Sequence, residues 1–222
     1  MASRLPIFPL DAVLFPGTPM PLHIFEPRYR RMLVDCLAAD ERFGLVPPGR
    51  ASEAPPPGAV GCVARVRATH ELPDGRSNIV VVGETRFLIR RYLDEGTPYL
   101  VAMVDEFGDR PGPQVPATSL DDLRRAFISY VESLRVITDA PDDDMKWAED
   151  PEALTFQIGA TADLDPTAKR RLLELRTASE RVGLLLELLP PLVQDAGARA
   201  RVHARARGNG KGGPSPDIVP AT

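Results

Sequence analysis

The stretch Met20-Pro-Leu-His-Ile-Phe-Glu-Pro-Arg-Tyr-Arg-Arg-Met-Leu33 reads as a strand running directly into a helix. Met20–Phe25 is a short apolar run in which His23 alternates with Leu22 and Ile24, the period-two pattern of a half-buried strand. Pro27 suits the first turn of a helix, where its missing N–H has no partner to lose. Behind it Tyr29, Met32, Leu33, Cys36 and Leu37 fall at i, i+3, i+4, i+7 and i+8, one apolar stripe. Free cysteine behaves as a small buried hydrophobe, so Cys36 belongs to that stripe.

Upstream, Arg4–Leu10 is a second apolar run, parted from Met20 by a turn at Phe15-Pro16-Gly17. Downstream, a Pro-rich loop (Pro47-Pro48-Gly49, then Pro55-Pro56-Pro57-Gly58) precedes strict alternation. Val60, Cys62, Ala64, Val66 and Ala68 share one face, and Arg65, Arg67 and Thr69 the other. At Pro73-Asp74-Gly75 a turn is expected, because Pro presets φ and Gly accepts a positive φ. Ile79–Val82 returns as a β-branched run, Thr85, Phe87 and Ile89 alternate with Arg86 and Arg90, and Tyr99–Phe107 gives one more strand. Short strands at close spacing predict a small antiparallel sandwich or barrel over residues 1–110.

A Pro/Gly-rich joint, Asp109–Thr118, leads into a helical half over residues 119–194. Ser119 with Asp122 resembles a capping box, and Leu120, Leu123, Phe127, Tyr130, Val131 and Leu134 keep helical spacing behind it. An acidic loop at Asp142-Asp143-Asp144 precedes a helix from Glu152 to about Ala160. Asp165-Pro166 marks another start, and Thr177 with Glu180 repeats the capping-box pattern ahead of Val182, Leu185, Leu186 and Leu189. Pro190-Pro191 predicts an end or a kink there. The expected fold class is α+β, a β-rich lobe followed by an α-helical bundle.

Charge is unevenly spread. The chain has 27 basic and 31 acidic residues, a net −4. Residues 197–222 nevertheless carry Arg199, Arg201, Arg205, Arg207 and Lys211 against Asp217 alone, so the preceding chain is about twice as negative as the whole. Their Gly, Ala and Pro content predicts a disordered basic tail, with nonspecific nucleic-acid contact as its functional reading.

Several classes are excluded. No apolar stretch approaches the ~18 residues needed to span a membrane. Pro6, Pro9, Asp11, Pro16 and Pro19 interrupt the N-terminal run, so no secretory core is read there and a cytoplasmic location is expected. The two cysteines, Cys36 and Cys62, cannot form a disulfide scaffold or a four-ligand zinc site alone. Both sit on apolar faces, whereas an activated thiol needs exposure and a positive environment. Histidine occurs only at His23, His70 and His203. Walker-type, H-E-x-x-H and G-x-S-x-G signatures are absent from the sequence, and no dinucleotide fingerprint in a strand–turn–helix setting is read in it. No catalytic residue, metal or cofactor is expected.

Three strings carry a resemblance. Leu5-Pro-Ile-Phe-Pro-Leu10, Leu14-Phe-Pro-Gly17 and His23-Ile-Phe-Glu-Pro-Arg-Tyr29 together resemble the start of the LON substrate-binding domain. This is the N-terminal domain of Lon proteases, also found in stand-alone proteins and in cereblon. Val60-Gly-Cys-Val-Ala64 is similar to the family's next strand, and Gly83-Glu-Thr-Arg-Phe-Leu-Ile89 to its Gly-x-x-Arg-Phe signature. Tyr99–Val104 resembles the strand after that. Leu172–Leu175, Arg181 and Leu184–Leu189 resemble its C-terminal helices, so the likeness runs from Arg4 to Leu192.

The resemblance implies a PUA-like β pseudo-barrel lobe joined to a helical lobe. It also implies a module that recognises unfolded or degron-bearing protein segments. In full-length Lon, ATPase and Ser–Lys protease domains follow this module, and a chain of this length is expected to lack both and to bind without cutting. RNA binding is the first alternative, since PUA-like folds elsewhere hold RNA and Arg65, Arg67, Arg86, Arg90 and Arg91 could form a basic patch. The negative charge of the folded part opposes it. A weak uncharacterised hydrolase is the second alternative.

The motif residues His23, Glu26, Arg28, Tyr29, Gly83, Arg86 and Phe87 are expected to be mostly structural. Tyr29 would anchor the helix on the sheet, with Glu26 and Arg28 tied to backbone or to each other. Gly83 would mark a bulge or a close backbone approach. Arg86 and Phe87 would point to opposite faces, Phe87 inward, and His23 would be a packed or half-exposed strand residue. Phe15, Met20 and Phe25 flank the strand–helix junction and are the candidate apolar contacts. The sequence names neither a client nor an oligomeric state.

Overall fold

The computed structural model describes residues 2–48, 54–141 and 146–209; the acidic run Asp142–Asp144 and residues 210–222 lie outside the described residues. The first lobe contains β1 (Ser3–Pro9), β2 (Pro19–Ile24), α1 (Pro27–Leu37), β3 (Arg42–Val46), β4 (Val60–Glu71), β5 (Ser77–Leu93) and β6 (Leu100–Glu106). The strands form one sheet in the order β2-β5-β4-β3-β1-β6, and β6 closes back on β5. Length makes this closure possible. β5 pairs with β2 through Ser77–Val82 and with β6 through Phe87–Leu93. The result is a ring of strands rather than a regular barrel.

Two sequence expectations need correction here. β3 lacks a long alternating run and contains Gly44, so its five residues gave no strand signal, yet it sits between β4 and β1. Its pairing with β1 is parallel, whereas a wholly antiparallel sheet was expected. Ala68 was placed on the same face as Val60, Cys62, Ala64 and Val66. The register shifts between Val66 and Ala68, where Val66 faces Val81 but Ala68 faces Val80. One extra residue at Arg67 reverses the side-chain parity, as a β-bulge does. Val66 is therefore buried, and Ala68 and His70 turn outward.

One core lies beneath α1, where Tyr29, Met32, Leu33 and Cys36 pack on Phe8, Phe43 and Cys62. Each fully buried side chain of this size contributes about 1.5–3 kcal/mol relative to exposure. A second core includes Leu5, Ile7, Val46, Phe87, Ile89 and Val104. Phe87 faces inward, and its ring lies where a Cβ on Gly44 or Gly61 would stand.

The second lobe contains α2 (Ala117–Thr138), α3 (Pro151–Thr161), α4 (Pro166–Glu174) and α5 (Ala178–Asn209). Asp150 caps α3 by accepting from the Ala153 N–H, and Asp165 caps α4 by accepting from Thr167 and Ala168. Each is followed by proline in the first turn. At Thr177 the hydroxyl accepts from the Glu180 N–H and donates to the Glu180 carboxylate. The box expected at Ser119 does not form: α2 already begins at Ala117, and Asp122 pairs with Arg125. Val13 and Phe15 of the first lobe enter this helical core.

The largest departure is α5. It passes through Pro190 and Pro191 and continues to Asn209, across the stretch from Gly197 read as a tail. Ala196 and Ala200 extend the buried row of Val182, Leu185 and Leu189. Alanine weighs little in a hydrophobicity count but is the best helix former, and α2 supplies the packing. α2 and α5 run side by side in the same direction, Gly197 near Ser133 and Arg207 paired with Asp139.

Candidate binding surface

The lobes meet at a buried arginine pair. Arg86 leaves the ring and Arg181 leaves α5, and both bond to Asp109 in the joint between lobes. Arg181 does so in bidentate fashion, at 2.8 and 2.6 Å, while its Nε donates to Thr155 Oγ1 at 2.9 Å. Arg86 Nη1 donates to the Leu173 and Leu175 carbonyls at 2.8 and 2.6 Å. These carbonyls belong to the C-terminal end of α4, where helix carbonyls lack intrahelical donors and a cation is favoured. The Phe156 ring receives both guanidiniums, at 5.1 Å from Arg86 and 4.4 Å from Arg181.

Burial disfavours the Asp109 carboxylate, but hydrogen bonds and charge from Arg181 and Arg86 outweigh it, holding Asp109 below the ordinary range. Arg86 was expected as a member of a basic patch; it is buried instead against the helical lobe, while Phe87 is buried inside the ring. Its partners are distant in sequence, which is why no local pattern marked it. Among the patch's other members, Arg65 lies near Glu84 and Glu41, and Arg90 pairs with Asp105. The expected patch therefore loses Arg86 to burial, and Arg65 and Arg90 to carboxylates beside them.

Gly83 makes a close approach. Its N–H donates to the Thr18 carbonyl at 3.0 Å and its carbonyl accepts from Gly17 at 2.8 Å. A Cβ there would collide with the Phe15 carbonyl and come within 3.0 Å of Cys62 Sγ. The approach pins Phe15, whose fully buried ring stacks on Phe156 at 5.9 Å. Phe15 is thus an interlobe core residue, not the exposed contact expected.

Around α1, Tyr29 is buried and packs on Phe8 with ring centroids 4.2 Å apart. Arg28 bonds to Glu26 at 2.9 Å and lies over the Tyr29 ring at 4.7 Å. Both charged side chains are over a third exposed, so the ion pair contributes only about 0–1 kcal/mol.

The remaining motif residue lies on a different surface. β2, β5 and β4 align His23, Asn78 and His70 in one cross-strand row, with Pro21, Val80 and Ala68 in the next. These rows line an open groove of about 460 Å³. His23 Nδ1 lies 2.7 Å from Asn78 Oδ1, and Phe25 stacks beside His23 at 6.0 Å while remaining 58% exposed. Val80 is 39% exposed, and Met20 is half-buried against the core under α1. Val80, Ala68 and Asn78 were missed because the Arg67 bulge and the three-strand register bring them together. Val80 sits between buried Ile79 and Val81, an alternation that a uniformly apolar run conceals.

β2 pairs only with β5 among the described residues. The Thr18 carbonyl faces Gly83, so Met20, Leu22 and Ile24 turn their backbone polar groups to β5. Pro19, Pro21 and His23 turn theirs outward. Two prolines on that edge remove the N–H groups an added strand would need. Contacts here run through side chains.

Cys36 and Cys62 are buried, and burial pushes each thiol up to about 12. No group of three or more potential metal ligands occurs among the described residues. No helix among them is long and apolar enough to cross a membrane.

Residues 4–190 match the family profile of the ATP-dependent protease La (LON) substrate-binding domain. The Lon protease of Cytophaga hutchinsonii is 26% identical over 213 residues, covering 90% of this chain and 26% of its own length. The Lon protease of Xanthomonas oryzae pv. oryzae is 28% identical over 192 residues, covering 83% and 22%. The chain thus spans about a quarter of the length of these relatives. A crystal structure of a Lon N-terminal domain protein from Xanthomonas campestris superposes with TM-score 0.62 at 20% identity, over 85% of this chain and 99% of that one. The N-terminal domain of the Mycobacterium avium complex Lon protease gives 0.61 at 20% identity, over 87% and 99%. The two structures share the α+β fold described above, and the profile spans both lobes: this chain belongs to the LON substrate-binding domain family.

Proposed function

We propose that this chain is a non-catalytic polypeptide-binding module that takes exposed apolar segments of unfolded or degron-bearing proteins, acting in the cytoplasm. The observation that carries this reading is the apolar groove across β2, β5 and β4, with Pro21, Val80 and Ala68 as its floor and Phe25 beside its rim. An apolar centre with polar groups at the edge suits recognition of an extended or partly folded segment. His23, Asn78 and His70 supply that polar edge.

Fluorescence anisotropy with labelled, reduced and carboxymethylated lactalbumin tests the reading. Saturable binding should weaken at least about tenfold in a Phe25→Ser/Val80→Asp variant, the loss expected for central anchors of an interface. Binding that ignores this double substitution would exclude the groove. A steeply salt-dependent affinity for labelled RNA exceeding that for the polypeptide would favour a nucleic-acid module instead. Incubated with ATP, casein should stay full-length; cleavage abolished by a single point substitution would overturn the non-catalytic reading.

A further inference from the structure

Beyond the helical core, α5 and the end of α2 form a two-helix arm. Ala196 and Ala200 of α5 are buried, and Arg207 pairs with Asp139 just past the end of α2. At 3.6 residues per turn, Ala198, Val202 and Ala206 fall on a lateral face well away from the one Ala196 and Ala200 bury. With Ile137 of α2 they line a groove of about 510 Å³, flanked by Arg199 and His203. Val202 is 67% exposed, and Val136 beside Ile137 is exposed as well. A contiguous apolar surface with a polar rim marks an interaction site more than scattered exposed residues do.

The rim has one dominant sign. Arg199 and His203 border one side of the Ala198/Val202/Ala206 stripe, and Arg201 and Arg205 fall on the other by helical geometry. Asp195 lies 3.6 Å from Arg199, and Asp139 is shared by Arg207 and His203. Arg201 and Arg205 have no ion-pair partner among the described residues. A second copy laid antiparallel across Val202 would set the Arg201/Arg205 flank against the same flank of the copy, a like-charge contact. The charge favours an acidic partner.

We propose that the α2–α5 arm docks an amphipathic helix from a partner protein, one with an apolar stripe and Asp or Glu along both flanks. The small side chains of Ala198 and Ala206 leave space on either side of Val202 for larger apolar residues, the helix-in-groove mode. This surface is separate from the β2–β5–β4 groove and does not depend on the reading given to it.

The test titrates the full chain into a labelled amphipathic peptide with Leu and Ala on one stripe and Glu on both flanks. A matched peptide carries Lys in place of Glu. The Glu peptide should saturate, weaken with added salt, and lose at least about tenfold affinity in Val202→Asp and in Arg201→Glu/Arg205→Glu. Far-UV circular dichroism should be unchanged in both variants, and the Lys peptide should not saturate. Equal binding of the two peptides, no saturation, or indifference to both variants would overturn the proposal. So would a concentration-dependent dimer abolished by Val202→Asp, or phosphatidylglycerol-vesicle binding abolished by it. Glu-peptide binding that appears only after deletion of residues 210–222 would assign the groove to this chain's own end and overturn it too.

Discussion

Arg86 and Arg181 reach the same Asp109 carboxylate from opposite lobes, and both guanidiniums are buried. Two positive charges therefore share one negative group, and the excess is spread over the Phe156 face and the carbonyls of Leu173 and Leu175. Burial pushes the nearby Glu152 carboxyl up, Asp109 adds to that, and the two arginines oppose it. Desolvating such a cluster is expensive, so its net contribution to folding is smaller than its many contacts suggest. Its consequence is geometric: the Gly83–Phe87 segment, the joint and the start of α5 are fixed by one set of bonds.

Replacing Asp109 with Asn leaves both guanidiniums in place and removes the shared charge. The loss should be about 3–5 kcal/mol, the range for breaking a buried charge pair by removing one partner. Urea unfolding at neutral pH measures it. A loss below about 1 kcal/mol, the range of an exposed pair, would mean that the joint is not the constraint described here.

The same carboxylate gives an acid limb. Asp109 is lowered in the folded state, so the unfolded chain binds the proton first. Its contribution is present at neutral pH, begins to fall near the ordinary carboxylate value of about 4, and is lost as pH drops through the folded value. The urea midpoint should therefore decline below about pH 5 in the parent and follow a flatter course in Asp109→Asn. Parallel acid limbs would refute the assignment.

At the alkaline end the sign reverses. Cys36 and Cys62 are raised by burial to about 12, so the folded chain keeps protons that the unfolded chain releases. Stability should fall as pH rises from about 9 towards 12. Native protein at pH 8 should leave both thiols unmodified by a thiol-disulfide reagent, and urea should expose both. Rapid native modification of either would contradict its burial.

Gly83→Ala forces a methyl group onto the Phe15 carbonyl, a backbone atom that cannot rotate away. The β1–β2 loop must separate from β5, losing the Gly17 and Thr18 hydrogen bonds. The cost should be about 1–3 kcal/mol, the usual range for overpacking, read as a lower thermal midpoint. An unchanged midpoint would show that the loop has room to retreat.

Those positions show what local pattern could and could not carry. Apolar runs found β1 and the start of β5, and alternation found β2, β4 and the rest of β5, because one face of each meets a core; the stripe from Tyr29 to Cys36 found α1 for the same reason. β3 escaped because its five residues include Gly44. The outer groove escaped because its floor depends on the Arg67 bulge, which changes which side Ala68 faces without changing composition. Arg86 read as a surface cation because burial of a charge is decided by partners elsewhere in the chain. In α5, alanines at Ala196 and Ala200 carried too little apolar signal to reveal a helix face that α2 covers.

Phe15 and Phe25, both candidate apolar contacts in the sequence, should separate cleanly under substitution. Phe15 is fully buried against Phe156 and beside Gly159, so Phe15→Ala should cost about 3–5 kcal/mol through lost burial and the cavity left between lobes. Phe25 is mostly exposed and contacts the His23 ring, so Phe25→Ala should move stability by no more than about 0.5 kcal/mol. Its effect belongs to binding, where the anisotropy of labelled unfolded lactalbumin should report a weaker complex. The inverse result, a stable Phe15→Ala and an unfolded Phe25→Ala, would mean that the chain enters and leaves β2 differently from the path described.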